Sequence, residues 1–156
     1  MCCNSGSISD LDPKEQLGIY KNFFDHAPIG LIRTDLETGD FMLANEYAAR
    51  LLGFENSEDL MNNGHSRDFY LQHDREVLIR ELRKNGFVQS YEIEINLPRT
   101  HEVIWVSATF HLNCGGSCIE GCLKDITELV QLRKKHLESM KQLGRKMDVR
   151  LSSLAS

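Results

Sequence analysis

The chain has 156 residues, of which 41% are hydrophobic and 26% charged, enough to fill the core of one domain plus an appendage and too apolar for wholesale disorder. Its formal net charge of −5 argues against a general nucleic-acid binder. No apolar run approaches the roughly 20 residues that cross a bilayer, and the opening Met1-Cys2-Cys3-Asn4 lacks the charged and apolar regions of a signal peptide.

Residues 1–11 are rich in Ser, Gly and Asp and read as a flexible lead-in. A lipidated Cys2-Cys3 pair is the sharper alternative for the start, and a disordered terminus the simpler one. A helix is expected over 12–27: Asp12 caps it, Pro13 takes the first position, and Leu17, Tyr20, Phe24 and Ala27 recur on one face. Pro28 ends it, because the residue before a proline is pushed out of the helical region. Residues 29–35 and 40–45 then form a hairpin around a turn at 36–39, where Gly39 can take positive φ. Asn45 caps a short helix over 46–52, and Gly53 stops it. Asn56 or Ser57 opens another helical piece through Leu60, and 61–66 reads as loop.

A longer helix is expected over 74–84, with Val77, Leu78 and Leu82 on its apolar face and Asn85-Gly86 at its end. Three strands follow. In 87–97, Tyr91, Ile93 and Ile95 share one face while Glu92 and Glu94 occupy the other. Residues 103–113 and 118–124 are joined by a two-residue Gly115-Gly116 turn. The economical packing is α+β: an antiparallel sheet with the helices gathered on one face.

From Ile126 onward seven Lys and Arg face three Asp and Glu, so the tail is basic and the body acidic. Ile126, Val130, Arg133, Leu137, Met140, Gly144, Met147, Leu151 and Leu154 run in four-three steps, and seven of these nine are apolar. So narrow a stripe suits a coiled-coil seam between two copies, with Arg133 and Gly144 as defects in it. A helix folding back on its own sheet is the alternative, and such a helix normally has a wider apolar face. The stripe is still running at the last residue, which suggests a continuation into an effector.

In order along the chain, FFDHAPIG at 23–30, TDLETG at 34–39, ANEYAARLLGF at 44–54, His73-Asp74-Arg75, Ile104-Trp105-Val106 and DITE at 125–128 resemble the successive motifs of the PAS domain family. The family's usual Lys/Arg-Asp-Gly turn is replaced here by residues 98–102, which are peripheral. The resemblance implies a five-stranded antiparallel sheet of order 2-1-5-4-3, a core over 28–125 and a signalling helix over 126–156. It also implies a sensory role feeding a histidine kinase, with a diguanylate cyclase as the alternative effector. A ligand-free protein–protein docking module is the rival reading. Asp125, Thr127 and Glu128 stand where strand becomes helix. Asp125 as N-cap and Glu128 reaching back would close a capping box there that passes strain from sheet to helix.

The residues expected to line an interior pocket are Ile32, Met42, Leu52, Phe69, Tyr70, His73, Leu78, Leu82, Tyr91, Trp105 and Leu123. Haem-binding relatives take an axial His from the longer helix, and His73 lies near that place. Its thirteen-residue spacing to Gly86 is longer than theirs, so a surface or capping role is preferred. The flavin-binding light sensors of the family carry an N-C-R-F-L-Q stretch that has no match here, so no flavin–cysteine adduct is expected. Cys114, Cys118 and Cys122 are spaced four and four, unlike the C-x-x-C of zinc sites, and read as ordinary small strand residues. A redox switch is the alternative. Cys118 and Cys122 share a face with Glu120 and Lys124, expected to be the less buried one. No metal and no enzymatic constellation is expected: the chain has no P-loop, G-x-S-x-G or H-E-x-x-H. Five cysteines without a secretory signal point to a reducing, cytoplasmic setting. The partners expected are a second copy and the effector, with neither nucleic acid nor membrane engaged.

Overall fold

A computed structural model describes residues 7–155; Cys2 and Cys3 lie outside the described residues. Ile8–Asp10 form a single turn of 3-10 helix ahead of α1 (Pro13–His26). Asp12 accepts hydrogen bonds from the Lys14 and Glu15 amides, as a capping residue before Pro13 should. The chain continues as β1 (Gly30–Asp35), β2 (Phe41–Ala44), α2 (Glu46–Leu51), α3 (Ser57–Asn63), α4 (Gln72–Asn85), β3 (Phe87–Asn96), β4 (Val103–Asn113), β5 (Cys118–Asp125) and α5 (Thr127–Leu154). The five strands form one sheet of order β2-β1-β5-β4-β3, all neighbours antiparallel.

The inner face of the sheet, under α2, α3 and α4, holds the core. Ile32, Ile93, Ile95, Val106, Ala108, Phe110, Ile119 and Leu123 meet Ala48, Leu52, Leu60, Leu78 and Leu82 there, all at most 7% exposed. Period-two alternation in β3, β4 and β5 produces this face. Gly121 belongs to it for steric reasons: a Cβ at that position would lie 2.3 Å from a Phe110 ring carbon.

Asn45 locks the entry side. Its side chain is fully buried, accepts from the Leu31 and Ala48 amides at 3.0 and 2.9 Å, and donates to the Phe24 and Ile29 carbonyls at 2.9 and 3.0 Å. The residue expected only to cap α2 therefore also ties α1, β1 and α2 together.

Several local expectations change. α3 runs on to Asn63, whose side chain donates to Asp59 one turn back, and Ser66–Phe69 adds a 3-10 turn where a loop was expected. α4 begins at Gln72 rather than Asp74, which places Asp74 in the first turn, where a carboxylate suits the helix dipole. The β4–β5 connection is not a two-residue turn. It spans four residues, with Cys114, Gly115 and Gly116 all at positive φ.

Candidate functional site

The interior is the first place to look for a site. Six of the expected lining residues are buried on the inner face: Ile32, Leu52, Phe69, Leu78, Leu82 and Leu123. Tyr70 and Tyr91 pack against the same core from its margin. Burial pushes the Tyr70 phenol up to about 12, against the opposing effect of nearby Arg75. Phe41, Ser66, Ile95 and Val106 join the lining without having been anticipated. Phe69 anchors the group, edge-on to Phe41 at 6.1 Å and tilted against Phe54 at 6.3 Å. What remains between these side chains is a cavity of about 10 Å³, room for no more than one water.

Three of the expected lining residues lie elsewhere. Met42 is 53% exposed, because β1 and β2 slip register between Arg33 and Thr34. That bulge turns Phe41 inward and Met42 outward. His73 is exposed in the first turn of α4, away from the interior where an axial ligand would have to stand. Trp105 alternates with buried Val106 and so occupies the outer face, where the Lys134 ammonium lies 5.6 Å from its ring centre.

That outer face carries the second candidate, the junction of β5 with α5. The backbone of Trp105 in β4 holds the head of the helix. Its N–H donates to Thr127 Oγ1 at 3.0 Å, and its carbonyl accepts the Ile126 N–H at 2.9 Å. Asp125 accepts the Thr127 N–H at 2.8 Å. The expected capping box is not formed: Ile126 takes the N-cap position without a side-chain cap, and Glu128 is exposed. The helix starts one residue later than that motif requires, because the Ile126 amide is already committed to Trp105.

Ile126 and Val130, expected in a seam between copies, are instead 6% and 8% exposed beneath α5 on the chain's own sheet. Arg133 is an anchor rather than a defect, since its guanidinium donates to both Glu92 carboxylate oxygens at 2.9 Å. Beyond Lys134 every described residue of α5 is exposed, including Leu137, Met140, Met147, Leu151 and Leu154. Beside the helix footprint, an open groove of about 370 Å³ runs between Phe24, Leu31, Leu43, Thr109 and Cys122. Arg33 bonds Glu120 at its rim, and the Asn113 amide together with Arg33 holds the Glu120 carboxyl below its usual range.

The cysteines also depart from expectation. Cys114 and Cys118 are joined in a disulfide across the β4–β5 turn, and Cys118 is 1% exposed rather than on an open face. Cys122 is a free thiol.

Residues 19–85 match the family model described as PAS domain. The chain has the PAS fold. No curated protein matches it. Among solved structures, it is similar to an RNA-binding Light-Oxygen-Voltage receptor at 24% identity and TM-score 0.64, covering 90% of this chain but 41% of that one. It is also similar to a domain of the sensory box sensor histidine kinase/response regulator from Geobacter sulfurreducens, at 17% identity and TM-score 0.57, covering 70% of this chain and 94% of that one. A sensory box histidine kinase/response regulator from Burkholderia thailandensis E264 follows at 16% identity and TM-score 0.57, covering 81% and 98%. At these identities the likeness is one of fold, and the PAS sheet order expected from the motifs is the one observed. No helix among the described residues is long and apolar enough to cross a membrane.

Proposed function

We propose that this PAS domain is a regulatory module that receives its input from a partner protein at its surface and relays it through α5 to an effector in the same parent chain. The observation that carries the reading is the form of α5. Its first two turns are held to the sheet by Thr127, Ile126, Val130 and Arg133, and the remainder leaves the domain with its apolar side chains uncovered. A 28-residue helix is about 42 Å long, so its far end can carry a change at the sheet well outside the domain.

The filled interior favours the ligand-free docking reading over a buried small ligand, since a cofactor needs hundreds of Å³. The exposed stripe from Leu137 to Leu154 suits pairing with a second copy, which would cover apolar side chains that the domain itself leaves in water. A histidine kinase is the effector favoured, on the fold likeness to sensory box kinases, and a cytoplasmic location goes with it.

The test uses the full chain. Light scattering is expected to give a dimer, and Met140→Glu with Met147→Glu a monomer of unchanged fold by circular dichroism. An unchanged mass for the double variant would sink the seam. Native mass spectrometry is expected to give the mass of polypeptide alone; a stoichiometric bound molecule would restore the ligand-sensing reading.

A further inference from the structure

The Cys114–Cys118 bond is a poor structural staple. It closes one of the shortest loops a disulfide can close, where the entropic gain is least. The turn is also held without it. Asn113 pairs with Cys118 and Leu112 with Ile119, the Asn113 side chain accepts the Cys114 N–H, and Ser117 Oγ donates to the Cys114 carbonyl.

The two ends of the bond differ. Cys118 is in β5 and buried, whereas Cys114 is exposed at the tip of the turn. Cys114 is also the residue with a side chain in a run of three left-handed positions, at φ 56° beside Gly115 at 65° and Gly116 at 94°. That conformation disfavours any residue with a Cβ. Cys122 does not compete for the bond: it is four residues further along the strand from Cys118, roughly 13 Å away.

We propose that Cys114 and Cys118 form a reversible thiol–disulfide exchange site at which small thiols of the glutathione class attack the Cys114 sulfur. The thiolate of one glutathione bonds to Cys114 Sγ, and the electron pair of the protein disulfide leaves on Cys118 Sγ, which takes up a proton. A second glutathione thiolate then attacks the glutathione sulfur of the mixed disulfide. It releases glutathione disulfide and leaves Cys114 as a thiol after protonation. Two glutathione thiols are oxidised to one disulfide while one protein disulfide is reduced to two thiols, so two electrons pass. Exposure directs the attack to Cys114 and burial shields the Cys118 sulfur from it, so Cys118 is the thiol expelled and, in the reverse direction, the one that resolves the mixed disulfide. The chemistry stands apart from the relay proposed for α5.

The site is read directly by mass spectrometry. The tryptic peptide spanning 100–124 carries three cysteines. The full-length protein is equilibrated at set ratios of glutathione to glutathione disulfide, acid-quenched, and alkylated after denaturation. The expected result is one alkyl group on the peptide, at Cys122, under oxidising ratios, three under reducing ratios, and return to one when the ratio is reversed. Three groups at every ratio, or one at every ratio, would overturn the proposal. Cys118→Ser should trap the mixed disulfide on Cys114, whereas Cys114→Ser should leave Cys118 roughly tenfold less modified. Equal modification in the two variants would overturn the assignment of the attacked sulfur.

Discussion

Thr127 is coupled to Trp105 through that residue's backbone N–H, and the neighbouring Ile126 through its carbonyl. The Trp105 N–H reaches Thr127 Oγ1 at 3.0 Å, while the Trp105 carbonyl accepts the amide of the preceding Ile126 at 2.9 Å. An interior strand of the sheet, β4, is thus bonded to the first residue of the helix that follows β5. Thr127→Val preserves shape and removes the acceptor. It is expected to lower stability by about 1–2 kcal/mol in urea unfolding and to raise hydrogen exchange at the Trp105 amide. Wild-type protection of that amide in the variant would show that the hydroxyl does not hold the junction.

Asn45 places both donors and both acceptor sites of its amide in hydrogen bonds while fully buried. Asn45→Ala would strand backbone groups of Leu31, Ala48, Phe24 and Ile29 away from water. The expected loss is at least about 3 kcal/mol, measured as a drop in the urea midpoint. A loss below 1 kcal/mol, in the range of a simple exposed cap, would mean that water replaces the side chain.

Phe69 is 3% exposed and fills the space between Phe41 and Phe54. Phe69→Ala is expected to cost about 3–5 kcal/mol and to open an apolar void where the present cavity is about 10 Å³. Binding of small apolar probes such as benzene, followed by ligand-observed NMR, should appear in the variant and not in the wild type. Equal binding by both would show that the wild-type interior is already open.

Asp59 accepts from Arg99 at 2.5 and 2.9 Å, and these bonds, with those from the Glu55 amide and Asn63, hold its carboxyl far below the usual range. A lowered folded value means that the carboxylate's contribution is present above its unfolded value near 3.8 and is lost as pH falls through the folded value. Wild type should therefore exceed Asp59→Asn in urea midpoint at pH 5–7, and the gap should narrow progressively below pH 4. A gap independent of pH down to 2 would assign the difference to packing rather than charge.

Much of the fold was legible because its signals are local. Asp12 and Asn45 cap the helices they precede, Gly86 ends α4 in the left-handed conformation, and the alternation of Tyr91, Ile93 and Ile95 marks the inner face of β3. The candidate sites were legible only in part, because a side chain's address depends on register and on what covers each face. Met42 has the right residue type for a pocket, and a bulge turns it outward. Trp105 is large and apolar, and it is covered on the outer face by α5 rather than by the core helices. Arg133 looked like an interruption of a stripe until Glu92, 41 residues earlier in the chain, came within reach.

By itself the sequence determined the element order, the caps and turns, the inner-face alternation and the amphipathic tail, since each depends on residues a few positions apart. Tertiary structure decided which face each strand residue serves, that the interior is full, where α5 stops being part of the domain, and that Cys114 meets Cys118 across the turn. These are relations between segments, set by strand register and by packing, and no short-range pattern in the chain encodes them.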